Sequence, residues 1–559
     1  MLDRRNFIRA GLGVGVSLAG FGIPFQTKAD FPDEVVGKQD EEVERLLKLQ
    51  ILDRRNRWFG GYPDSNGLVN PHSAGRLFER FVCVYVCPQS RFHQDDQIRQ
   101  RIGYAVEHLN AAQNSSGNID LLTTNFNSPP DTGFVLQPVA CGAKLAQLFD
   151  EPEILEWITP FLNKAGHALS VGGIHTPNHR WVVGAALTQL NDIHPNDRYI
   201  ARIDQWLAEG IDIDEDGMYT ERSTTVYNAV TNNALVIMAD KLKRPELLDP
   251  VRQNLDAMQY LLHANDEVVT EISRRQDLHT RGNLSRYWFA LRYMAIVDQS
   301  GSYAAMLRPY EPDQIQLPRL MEYPVLYQPL PHPGELPARF EKTFSAAGVT
   351  RIRDGRLSAT VIHEGSSRLF SVHFGKAALH AVRFATAFFG KGQCVPDQYA
   401  CENGQHVWRQ SLRGPYYQPL KPSRRVAPNG PAWSESRLER EQSEVCQMHY
   451  EVRLSRRDFG FELRIKAEGT DRVPLSIEFN LREGGKIDGA EQVAGKGDTY
   501  VMGGDMVTYT MGNDIMRFGP GGHENIYTQV RGALDKLPGT SVYITGFTPF
   551  EQTIRIELS

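Results

Sequence analysis

Residues 211–228 read IDIDEDGMYTERSTTVYN, and two incompatible folds can be read into them. The first half, Asp212-x-Asp214-x-Asp216-Gly217, has the spacing of a calcium loop. The second half, Glu221-Arg222-Ser223 through Tyr227, has the form of a helix start, with Ser223 or Thr224 as its cap and Tyr227 in the first turns. An EF-hand loop needs a bidentate glutamate at its twelfth position, and Ser223 stands there. The three aspartates are therefore expected to cap and solvate a turn between an outer and an inner helix. No metal is expected.

Outward from this stretch the chain reads as helical from about Asp40 to Val297. Ile98, Ile102, Val106 and Leu109 give the segment Gln94–Gln113 one apolar face. The segments Phe134–Phe149, Trp181–Leu190, Val226–Leu242 and Leu284–Val297 are apolar all round. Amphipathic pieces, Glu153–Ala168, Arg198–Glu209 and Glu246–His263, lie between them. That alternation predicts an inner ring of helices enclosed by an outer ring. The inner helices begin near residues 133, 180, 225 and 284, a helical-hairpin repeat of the kind that builds solenoids and closed α/α toroids.

Past Leu307 the character changes. Residues 308–339 are proline-rich and read as an extended linker. From Phe340 to Ser559 short alternating runs such as LSATVIH, HYEVRLSRRD, FELRIKAEG and LSIEFNLR are separated by Gly, Asp and Asn turns, the pattern of an antiparallel β-sandwich. The expected organisation is an N-terminal (α/α)n toroid over residues 30–307, the linker, and a sandwich over 340–559.

The first 29 residues read as an export signal. Arg4-Arg5 opens a twin-arginine pattern, an apolar Gly-rich run follows from Ala10 to Phe21, and Thr27-Lys28-Ala29 offers a cleavage site. The expected location is the periplasm. Cleavage would move the net charge from −6 to −9, a poor fit to nucleic acid. No later stretch approaches the ~18 apolar residues of a membrane span. Of the six cysteines none forms a CxxC pair; Cys83 and Cys87 suit buried thiols on an apolar helix, and Cys394 with Cys401 could bridge.

The segments that lead into the inner helices carry the least ordinary chemistry: NFNSPPDTGF, GGIHTPNHRW, DGMYTERSTTVYN and RRQDLHTRGNLSRYW. Parallel inner helices would gather all four at one end of the ring. Asn178-His179 opens one helix and Tyr227 the next. Together they fit elimination at C4 of a uronic acid, which needs a hydrogen-bond donor to neutralise the carboxylate, a base for the C5 proton and an acid for the departing oxygen. Asn178, neutral His179 and the Tyr227 hydroxyl can take those parts without a cofactor. Arg180, Arg222, Arg274, Arg275 and Arg281 crowd the same segments and suit a carboxylate-bearing sugar. Trp181, Tyr219 and Trp288 could stack on sugar rings. Asn125, Glu221, Gln276 and His279 complete the candidate substrate-binding set.

A toroid, a proline-rich linker and a sandwich, with Asn178-His179 and then Glu221-x-Ser223 leading to Tyr227, resemble the heparinase II/III-like and alginate-lyase-like polysaccharide lyases. The resemblance implies Asn as neutraliser, His as base and Tyr as acid or as combined acid and base, acting on a uronate-containing oligo- or polysaccharide. One departure stands out: those sandwiches commonly present a His-Gly-His-Ala-Asp strand, and here the nearest text is HFGKAALHAVRFATAFFGKGQ. His373, His380 and His406 are the candidates for a sandwich contribution. GNIDLLTTNFNSPPDTGF and FFGKGQ look more like exported lyases that cut at rhamnose–glucuronate linkages. Two rival readings stay open: a toroid hydrolase using Asp216 with Glu221, or Asp131 with Glu221, and a glycan-binding protein without catalysis.

Overall fold

The computed structural model describes residues 31–559 apart from 312, 364 and 425–431; the export signal expected over residues 1–29 lies outside the described residues. Five helices pack side by side in chain order: Pro71–Val86, Pro129–Leu148, Asn178–Ile193, Tyr227–Leu242 and Trp288–Val297. Their apolar content explains why they are inner. Asn178–Ile193 is buried on every face from Asn178 to Leu190. The outer helix that follows it, Asp197–Leu207, buries only Tyr199 and Ile203, one helical turn apart. Close approach of two inner helices rests on Gly142, where a Cβ would sit 2.9 Å from the Phe78 ring. The four expected inner helices are present, and Pro71–Val86 precedes them as a fifth. Its Cys83 and Cys87 are buried thiols, while Cys394 and Cys401 are both free, the first buried and the second exposed. No helix among the described residues is long and apolar enough to cross a membrane.

The segment 308–339 is not extended throughout. Leu317–Glu322 is helical and packs on Pro71–Val86 and Pro129–Leu148, and the turn Pro324–Tyr327 packs on Trp288–Val297. Leu317, Leu320, Met321, Tyr323 and Leu326 enter the toroid core, so its apolar residues outweigh its prolines. Glu322 is carried in with them and meets Lys241 at 3.0 Å and Arg319 at 3.1 Å. Removing Glu322 would leave Arg319 largely buried without a counter-ion, while Lys241 would keep only Asp192 at 2.8 Å. Glu322→Ala is expected to lower stability by about 3–5 kcal/mol, read as the shift in a urea unfolding midpoint. A variant as stable as the wild type would show that the cluster contributes nothing net.

The β half contains two large sheets. One has the antiparallel run Arg339–Phe344, Val349–Asp354, Leu357–Ile362, Phe370–Phe374, Ala377–Thr386, Pro474–Leu481 and Thr540–Phe547, then a parallel pairing to Thr499–Met502. The other is built round Gln405–Tyr417, Gln442–Arg457, Gly460–Gly469 and Phe550–Leu558. Alternation sets the facing: Met448, Tyr450, Val452 and Leu454 are buried while His449, Glu451 and Arg453 point outward. The two inner faces share one core. Phe344, Val349 and Ile362 belong instead to the toroid core, so the first strands of the larger sheet dock on the helices. Polar clamps flank that contact. Arg482 meets Glu267 at 2.6 Å, Ser371 donates to Glu271 at 2.6 Å, and the Ala346 amide donates to Asp216 at 2.7 Å.

Candidate active site

Pro177 precedes the inner helix Asn178–Ile193 and cannot cap it with a side chain, so Asn178 and His179 occupy its first turn with their side chains uncommitted to the backbone. Asn178 is buried; its amide nitrogen donates to Glu221 at 2.6 Å and to the Thr176 hydroxyl at 3.1 Å. Its amide oxygen is buried without a partner. The His179 ring meets His175 edge-on, with centroids 4.6 Å apart, and its Nδ1 has no partner. Burial, reinforced by the His175 imidazole, pushes His179 down to about 4.

Tyr227 begins the next inner helix, and its amide donates to Ser223 Oγ at 3.0 Å. Asp277 fixes that turn by accepting from Ser223 at 3.0 Å, from the Thr225 hydroxyl at 2.8 Å, and from Ser273. The Tyr227 hydroxyl accepts from Gln276 Nε2 at 2.7 Å, and the Arg275 guanidinium lies 4.8 Å above its ring. Arg275 also stands 3.5 Å from Glu221. Burial pushes the Glu221 carboxyl up, while the Asn178 hydrogen bond and the Arg275 charge oppose the rise. Thr176, Asn178, Glu221, Arg275, Tyr227 and Gln276 thus form one connected group drawn from three separate segments.

Several candidates lie elsewhere. Arg180 turns away to Asp212 at 2.6 Å, Gly210 O at 3.1 Å and Glu209 at 3.3 Å. Trp181 is fully buried with its indole N–H on Asp212, Tyr219 is buried with its hydroxyl on Asn232, and Trp288 is buried on Glu311. None of the three presents a face to a sugar. Arg222 spans to Ala346 O and Asp214 and clamps the domains. Asn125 donates to Asp131 at 2.9 Å, and Asp131 lies 3.7 Å from His72. Arg281 is paired with Glu267. His406 bonds the Tyr399 hydroxyl in the smaller sheet and does not line the junction cavity.

The loop aspartates have occupations of their own. Asp212 holds Arg180 and Trp181, Asp214 accepts the amides of Asp216 and Met218, and Asp216 accepts the Ala346 amide. Asp216 is thereby removed from any carboxylate pair with Glu221.

His279, His373 and His380 line a cavity of about 680 Å³ at the junction of toroid and sandwich. A smaller hollow of about 400 Å³, lined by Gln276, shares Thr280 and Arg281 with it. His263, Glu271 and His373 bring potential metal-ligand atoms within 4.8 Å of one another. The two imidazoles are stacked 3.7 Å apart and nearly parallel, so their in-plane lone pairs do not converge on one point. His175 and Asp277 escaped the sequence reading although both lie in the quoted lead-in segments. Histidine and aspartate beside a helix start are too common for local sequence to mark them.

No sequence family and no curated protein matches the chain. Solved structures do. A heparan sulfate lyase of Pedobacter heparinus superposes with TM-score 0.51 at 11% identity, covering 96% of this chain and 85% of that one. A chondroitin AC lyase of Streptomyces coelicolor gives 0.52 at 11%, over 96% and 80%. A Paenibacillus xanthan lyase gives 0.54 at 9%, over 95% of this chain and 58% of its own. The chain has the toroid-and-sandwich fold of these lyases.

Proposed function

We propose that the protein is a polysaccharide lyase that cleaves a uronic-acid-containing glycan by β-elimination. The observation that carries this reading is the connected group Asn178–Glu221–Arg275–Tyr227 at the lead-in end of the inner helices. The fold, shared over nearly the whole chain with three polysaccharide lyases, supports it, although fold alone does not fix chemistry.

In the proposed reaction Asn178 donates to the uronate carboxylate. Glu221 holds one amide proton at 2.6 Å, and the longer 3.1 Å contact to Thr176 is the one that substrate replaces. The hydrogen bond strengthens as the C5 proton leaves and charge moves onto the carboxylate, so it favours the transition state over the bound substrate. His179 takes the C5 proton. The C5–H electron pair becomes the C4=C5 double bond, the C4–O4 bond breaks, and the departing oxygen takes the proton of the Tyr227 hydroxyl. His179 then returns its proton to the Tyr227 oxygen through solvent. Arg275 offsets the negative charge that Tyr227 carries between those steps, and Gln276, donating at 2.7 Å, fixes the direction of its hydroxyl. Glu221 and Gln276 act as positioning residues.

Within this reading we assign glucuronate carrying rhamnose as the preferred cleavage context, on the sequence resemblance of residues 117–134 and 388–393 alone, and the periplasm as the site of action. The test is a panel of uronate glycans, rhamnose–glucuronate polymers included, assayed for the new ultraviolet absorbance of the C4=C5 product. Cleavage without that absorbance would turn the assignment toward hydrolysis. Binding without any cleavage would leave a glycan-binding protein.

A further inference from the structure

The junction cavity holds three arginines, and two of them share one carboxylate partner. Arg482 and Arg281 both pair with Glu267, at 2.6 and 2.9 Å. The third, Arg368, comes from the sandwich just before the strand Phe370–Phe374. Its backbone amide is bonded to Ser366, but its guanidinium makes no hydrogen bond or ion pair among the described residues. The two carboxylates that attract it, Glu271 and Glu478, are bonded to other donors, and Glu483, exposed on the same cavity wall, forms no ion pair with it. Glu271 accepts from Ser371 at 2.6 Å and from the Thr270 amide at 3.0 Å, and Glu478 is held by Arg383 at 2.6 Å. A half-buried guanidinium that faces a cavity with no hydrogen-bonded counter-ion has lost hydration and regains only the longer-range attraction of Glu271 and Glu478, and bidentate anion recognition is what its fork is shaped for.

The remaining walls suit a sugar. Leu278, Leu537 and Pro538 give an apolar side, and the His279 and His380 imidazoles give neutral hydrogen-bonding groups. Burial pushes both imidazoles down to about 4, so neither competes with Arg368 for an anion near neutral pH. Burial and the neighbouring Arg383 push Arg368 itself down to about 10, which leaves it charged there. At about 680 Å³ the cavity is in the range of sites that enclose a whole ligand. It also adjoins the hollow of Gln276, the residue bonded to Tyr227, with Thr280 and Arg281 lining both.

We propose that Arg368 binds a second anionic group of the glycan, a carboxylate or a sulfate on a residue displaced along the chain from the uronate at Tyr227. This rests on the lyase reading and narrows it: the preferred substrate is a repeating polyanion, and a polymer with one isolated uronate among neutral sugars is a poor one.

The experiment measures binding by calorimetry in a Tyr227→Phe background, where cleavage is slowed by about 10²–10⁴-fold. The probes are oligosaccharides of polymannuronate (carboxylates only), chondroitin 4-sulfate (carboxylates and sulfates) and carboxyl-reduced polymannuronate (neutral). Adding Arg368→Gln should weaken a charged probe by roughly 10- to 100-fold and leave the neutral one unchanged. Arg368→Lys should recover part of the loss. Dependence seen with polymannuronate assigns a carboxylate; dependence seen only with chondroitin 4-sulfate assigns a sulfate. Equal affinities with and without Arg368, or no binding of any charged probe, would overturn the proposal. The two readings fail separately. Binding that depends on Arg368, in glycans the wild type never cleaves, keeps the anion site and removes the lyase; cleavage with Arg368-independent binding does the reverse.

Discussion

Tyr227→Phe is expected to lower kcat by about 10²–10⁴-fold, the usual range for loss of a general acid, while substrate affinity stays within a few-fold. The substitution removes one oxygen. The ring remains under the Arg275 guanidinium, and the helix start is held by backbone and Ser223–Asp277 contacts that do not involve the hydroxyl. The one bond lost is the 2.7 Å contact from Gln276, and Gln276 is exposed, so solvent can take over that bond. Stability should therefore hold, and the loss should fall on kcat rather than KM, as it does for an interaction made only in the transition state. Gln276→Ala separates positioning from chemistry: it leaves the acid in place but frees its rotation, so a smaller fall in kcat is expected. A Tyr227→Phe enzyme with near-normal turnover would take Tyr227 out of the reaction.

The architecture was legible because its signal is periodic. All-round apolar helices alternating with one-faced ones can satisfy burial only as nested layers, and strict two-residue alternation after Phe340 leaves only sheets. The linker was misjudged because proline content is a local cue, whereas Leu317, Leu320, Met321 and Leu326 are drawn into the toroid core by burial. In the site, position along a helix start pointed to Asn178 and Tyr227, and Glu221, Arg275 and Gln276 from the same segments join them, but residue type misled about Arg180, Trp181, Tyr219 and Arg222. Arg180 follows Asn178 by two residues and so sits about 200° around the helix. It faces the outer layer, where Asp212 awaits it. The arginines that suggested a carboxylate site and the aspartates that suggested a calcium loop thus account for one another: Arg180 takes Asp212 and Arg222 takes Asp214. The sandwich contribution was the least legible part. Alternation tells which face of a strand is buried, not which sheet meets the helices, so His373 in the docked sheet and His406 in the other looked equivalent.

His179→Ala is expected to cost about as much as loss of Tyr227, again about 10²–10⁴-fold in kcat, and the pH dependence of the wild type carries the diagnosis. A base works in its neutral form. An unperturbed imidazole would lose activity below about pH 6.5, but burial and His175 hold His179 near 4. The acid limb of kcat/KM, which reports the free enzyme, should therefore fall near pH 4 and stay flat between pH 5 and 7. His279 and His380 are also held near 4, so the position of that limb alone does not choose among the three imidazoles; the variants do. Stability works against the measurement. Each of these histidines has a folded value below its unfolded one, so the unfolded chain takes up more protons. Folding stability is then complete above about pH 6.5, begins to fall as the pH drops below it, and goes on falling down to the folded values near 4. Near-ultraviolet circular dichroism at each pH must accompany the rates, with activity recovered on return to neutrality. A limb near pH 6.5 in a protein still folded there would show that the base is none of these three buried imidazoles. A folded, active His179→Ala enzyme with its limb still near 4 would move the base to the junction cavity, to His279 of the toroid or His380 of the sandwich.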